Sequence, residues 1–168
     1  HCGAHCIALV GKKHLEQFCP EIFVLIEKLL PKIYALFSNS DVRARRLQAL
    51  CKHINNFLPT DEQMPIDQLP LPLSGTRWLE AFVSSDRARA LYYGLTAFVE
   101  EMYDETSDPS EDLEFLNTEL HSLETAGLLM LLPEMLHVQS EVSKRFQQKD
   151  ITVRSCPFTC KHSAVSRF

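Results

Sequence analysis

At 168 residues and 19.2 kDa, with 45% hydrophobic and 23% charged residues, the chain can bury one core and lacks the composition of a disordered segment. Its net charge of −5 divides unevenly: residues 1–58 carry eight Lys or Arg against four Asp or Glu, and the remainder nine against eighteen, so only the first third offers phosphates a favourable field. No apolar run is long enough to span a bilayer, and the start lacks the basic-then-apolar order of a signal peptide, which predicts a soluble, intracellular protein with no membrane partner.

The first residues mix potential ligands with an apolar run. On a helix His1 and His5, or Cys2 and Cys6, would stand one turn apart, half of a zinc site. The remaining candidates, Cys156, Cys160 and His162, lie in a tail without pattern, so no structural zinc is expected. All six cysteines are expected as free thiols. A chain that opens on His1 inside a helical pattern also predicts a piece of a longer protein.

From Pro20 the residues Ile22, Ile26, Leu29, Ile33 and Leu36 recur at helical spacing, which predicts an amphipathic helix to about residue 37. Pro31 should kink it near Glu27. Residues 38–41 supply turn and N-cap chemistry, and Leu47, Leu50, Ile54 and Phe57 give the next helix its stripe. That helix carries Arg43, Arg45, Arg46 and Lys52, a solvated face or the one local basic patch.

Residues 59–75 hold four prolines and one glycine and read as a linker or an extended surface loop. Then Leu79, Phe82, Val83, Leu91, Leu95, Phe98, Val99 and Met102 predict one long helix or two nearly continuous ones, bent at Ser84-Ser85, with Trp78 in the first turn. Trp78 reads either as a core anchor or, beside Arg77, as a face for stacking on a base next to a phosphate. Eight acidic residues between 100 and 114 read as a solvated helix junction.

Asp108 as N-cap, Pro109 at the first helical position and Glu111 two residues on predict a helix start. Leu113, Leu116, Leu120, Leu123, Leu131, Met135, Val138, Val142 and Phe146 then predict one long helix kinked at Pro133. Residues 151–168 keep no period and are expected to be loosely held. The absence of strand alternation and of phosphate-loop, nucleophile-elbow or zincin motifs gives an all-α fold of kinked helices.

The order of four features adds a resemblance. Cys2-Gly3-Ala4-His5 before an apolar run, the Leu36-Phe37-Ser38 turn, Thr76-Arg77-Trp78, and the closing Phe146-Gln147-Gln148-Lys149-Asp150-Ile151 resemble the middle of the hAT transposase superfamily, especially its domesticated, transposase-derived members. The resemblance implies the all-α insertion of an RNase H-like domain: residues 1–58 following the Cys-x-x-His, a linker at 59–75, the long-helix part at 76–150, and a tail at 151–168. It implies a DNA partner met by Arg77 and Trp78, with Cys2 and His5 beside the active site of the parent domain. Cys6 replaces the Arg usual in relatives, so one phosphate contact is missing. The resemblance further implies a nuclear location, oligomer contacts outside these residues, and no catalytic residue, metal site or cofactor here, Mg²⁺ or Mn²⁺ belonging only to a complete parent enzyme. The alternative expectation is a helical protein-interaction module with no nucleic-acid role.

Overall fold

The computed structural model describes residues 12–14, 16–73 and 78–147, and the side chains of these except 78–80, 139–140, 142–144 and 146–147. The expectations on Cys2, His5, Arg77 and the tail at 151–168 lie outside the described residues. Among the described residues the regular structure is all helical, in agreement with the all-α expectation.

Helix α1 (Pro20–Val24) opens on the proline, whose missing N–H costs nothing in a first turn. It runs through a π-helical turn at Leu25–Leu29 into α2 (Leu30–Ser38). Pro31 cannot donate to the Glu27 carbonyl, and the backbone widens just before it, the Leu30 N–H reaching back to the Leu25 carbonyl. Helix α3 (Asp41–Asn55) starts at Ser40, whose Oγ accepts from the Arg43 N–H at 3.3 Å.

The proline-rich stretch crosses back over the bundle. Asn55 grips it at Met64 through two 2.8 Å bonds, its Nδ2 donating to the Met64 carbonyl and its Oδ1 accepting from the Met64 N–H. Further on, Arg87 Nη1 donates to the Leu69 carbonyl at 3.2 Å and Ser84 Oγ to the Pro72 carbonyl at 3.0 Å.

Helices α4 (Trp78–Ala90) and α5 (Tyr92–Glu105) meet at Leu91, not at Ser84-Ser85. Only the Ser85 hydroxyl turns back on its own helix, donating to the Phe82 carbonyl at 2.9 Å, while that of Ser84 reaches out to the proline-rich crossing, and the helix runs through both serines. Helix α6 (Glu111–His121) is capped by Ser110 rather than Asp108, the Ser110 Oγ accepting from the Leu113 N–H. The expected single long helix breaks at Ser122, whose Oγ accepts from the Thr125 N–H, and α7 (Leu123–Gln147) follows.

Helix α4 packs along α7, and α3 and α6 pack on α5. Ile26, Leu29, Leu47, Leu91, Leu95 and Phe98 fill the centre, each at most 1% exposed. In α7 the buried stripe is Leu129, Leu132 and Leu136, whereas Leu123, Leu131, Met135 and Val138 face outward. That corrects the sequence reading, which ran one stripe through the break. The turn at Ser122 resets the phase, so residues in register with Leu120 leave the core.

Candidate nucleic-acid interface

The basic residues of α3 do not act as one patch. Leu47 and Cys51 turn inward and fix the orientation of the helix, which leaves Arg43, Arg45 and Lys52 exposed. Arg43 Nη1 donates to the Leu36 carbonyl at 3.2 Å and so closes the end of α2. Arg46 instead crosses to α5. Its Nη2 donates to Glu101 Oε2 at 2.7 Å and to Glu105 Oε1 at 2.6 Å, with Nη1 on Glu105 Oε2 at 2.8 Å. The Glu101 and Glu105 carboxylates stand one helical turn apart, so one guanidinium fork serves both.

This pairing raises the Arg46 pKa above its ordinary value, chiefly through hydrogen bonds to Glu105 and Glu101, and holds the Glu105 carboxyl below its own. Arg46 therefore keeps its charge but spends it on two carboxylates. Its Cζ also lies 5.8 Å from the Phe98 ring centre, closing the core from above. Replacing Arg46 by Gln is expected to lower the melting temperature most at neutral pH and low salt. Because the Glu105 pKa is depressed on folding, its contribution is present above the unfolded carboxylate value and disappears as pH falls through the folded one. The difference between Arg46→Gln and wild type should therefore shrink in acid, where the carboxylates are protonated, and in 1 M salt, which screens the exposed part of the pairing. A melting difference equal at pH 7 and pH 3 would contradict the pairing.

A cleft of about 250 Å³ lies beside Arg43 and is lined also by Lys32, Asp112 and Leu116. Lys32 is ion-paired to Asp112 there. The eight acidic residues at 100–114 flank a solvated helix junction, as the sequence reading had it, and within it Glu101, Glu105 and Asp112 are in addition paired with cations. Among the described residues no three His, Cys, Asp or Glu side chains converge as a metal site. Cys19 and Cys51 are free thiols, and burial pushes the Cys51 thiol up to about 11, so it stays protonated.

Trp78 is the first residue of α4, at the point where the proline-rich crossing ends. Sequence reasoning missed the grip of Arg46 on α5; the only signal was the i, i+4 spacing of Glu101 and Glu105. No protein-family model, curated protein or solved structure matches this chain.

Proposed function

We propose that this chain is the helical insertion of a hAT-like, transposase-derived protein, and that it contacts DNA in the nucleus without cutting it. What carries the reading is the order of motifs along one chain: Cys2 and His5, Leu36-Phe37-Ser38, Thr76-Arg77-Trp78 and the run from Phe146 to Ile151. An all-helical fold agrees with such an insertion. In this reading Trp78 stacks on a displaced base, Arg77 meets the adjoining phosphate, and Arg43, Arg45 and Lys52 add a diffuse positive field. Strand cleavage by two metals needs carboxylates converging on ions about 4 Å apart. Glu101, Glu105 and Asp112 serve Arg46 and Lys32 instead.

The test is hairpin and single-stranded DNA binding across a salt series. Affinity is expected to fall steeply as salt rises, and Trp78→Ala to weaken it by about 1–3 kcal/mol, one lost base stack, with helicity unchanged. Binding that ignores salt, or a Trp78→Ala chain that unfolds, would overturn the assignment. A second reading, a protein-interaction module, is favoured by one observation: Leu123, Leu131, Met135 and Val138 are each half or more exposed along α7.

A further inference from the structure

Helix α7 has two apolar faces, and the core uses one. On the other, Leu131, Met135 and Val138 recur at four- and three-residue spacing, continuing from Leu128, which is half-buried at the edge of the core, and form the seam of a helix that expects a second helix against it. Leu131, Met135 and Val138 are 60%, 50% and 66% exposed, and Leu123 at the start of the helix is 92% exposed. Pro133 is buried, so the proline lies on the core side and the outer seam runs past it. Together these side chains offer on the order of 500 Å² of apolar surface, at the upper end of what a monomer leaves uncovered.

The charges beside this seam are acidic. Glu124 and Glu134 are exposed along it, and Leu128 leads at its start into a cleft of about 320 Å³. That cleft, between α1 and the α6–α7 junction, is lined by Glu21, Glu119 and Glu124. Glu119 accepts one hydrogen bond there, from Thr125 Oγ1 at 2.7 Å. A second copy of this chain would bring Glu134 and the same acidic cleft against themselves, on a molecule of net charge −5.

We infer that the outer face of α7, from Leu123 to Val138, seats an amphipathic helix of another protein, one with leucine-type residues at heptad spacing and lysine or arginine beside them, a cationic side chain entering the cleft at Glu119 and Glu124. The apolar seam supplies contact area, and the acidic border selects the sign of the partner. This inference rests on the interaction reading; the DNA reading stands or falls separately on its salt series.

The experiment uses the full chain and two synthetic helical peptides with leucine at the a and d positions, one with lysine and one with glutamate at e and g, followed by fluorescence anisotropy. The lysine peptide is expected to bind at least tenfold more tightly than the glutamate peptide. Leu131→Glu and Met135→Glu, both at exposed positions, should abolish that binding with the circular dichroism melt unchanged. Glu119→Gln with Glu124→Gln should narrow the preference between the peptides. Equal binding of both peptides, or binding that survives Leu131→Glu, would overturn the inference. So would a dimer by sedimentation that Leu131→Glu dissolves, which assigns the face to a second copy. Slow peroxide oxidation of Met135 in the chain alone would overturn it too, since the chain's own segments would then cover the seam.

Discussion

Phe98→Ala is expected to lower the free energy of unfolding by about 3–5 kcal/mol, the cost of emptying a large aromatic site that cannot collapse. Phe98 is completely buried, and it joins three elements. Its ring meets Phe37 of α2 at a centroid distance of 5.0 Å, and Arg46 of α3 lies over its face. Removing the ring therefore deletes its buried area, one aromatic pair and the surface on which the Arg46 guanidinium rests. For a domain with about 5–15 kcal/mol of total stability, that is a large share. The check is a urea midpoint at unchanged slope, which separates a loss of stability from a change in compactness. A loss under about 1 kcal/mol would mean that the α2–α5 contact closes over the gap and is not a rigid part of the core.

The same residues indicate how far the sequence could be read. Helical periodicity found the core positions Ile22, Ile26, Leu29, Ile33, Leu47, Leu95 and Phe98, because each lies on a helical stretch with one apolar stripe, and Leu91, because the junction between α4 and α5 is short enough to keep the phase. It failed on α7, which has two. Leu129, Leu132 and Leu136 keep three- and four-residue steps, as do Leu131, Met135 and Val138 in the opposite order, and periodicity alone cannot choose between stripes on one helix. The choice was made by the break at Ser122, a local capping event that an apolar pattern does not register. The cap of α6 failed for a related reason: Asp108 and Ser110 both suit an N-cap, and the one nearer the first buried residue, Leu113, took the role.

The candidate site was less legible. Four basic residues on one helix read as a patch in sequence, but a helix turns by 100° per residue and so parts them. Arg46 alone points toward α5 and meets Glu101 and Glu105, more than fifty positions along the chain. Long-range pairing of this kind follows from α3 packing on α5, which no local rule contains. The outward seam of α7 was visible as apolar letters, and only the fold could say that nothing within the core used them.

Gly94→Val is expected to cost about 3 kcal/mol, the upper part of the usual range for overpacking a filled core. Gly94 sits in the first turn of α5, where that helix presses on α3, and its N–H meets Met64 Sδ at 3.1 Å. A Cβ added there would collide with Cys51 Sγ and would stand 3.5 Å from Leu47 Cδ1. Cys51 is 1% exposed and Leu47 is fully buried, so neither has open space to retreat into. The glycine is thus set by close approach of two helices rather than by backbone conformation. Gly127 of α7 supplies the contrast, because a Cβ there meets nothing within 4 Å. Gly127→Ala should stabilise by about 0.5–1 kcal/mol, the ordinary helical preference, whereas Gly94→Ala should not. Combining Gly94→Ala with Cys51→Ala exchanges the sulfur for the new methyl at nearly constant volume. The double variant should therefore be more stable than the sum of the single losses, with a coupling of about 1 kcal/mol or more for two groups in contact. Additive losses in that cycle, measured by thermal and urea unfolding, would show that Gly94 is not where α3 and α5 touch.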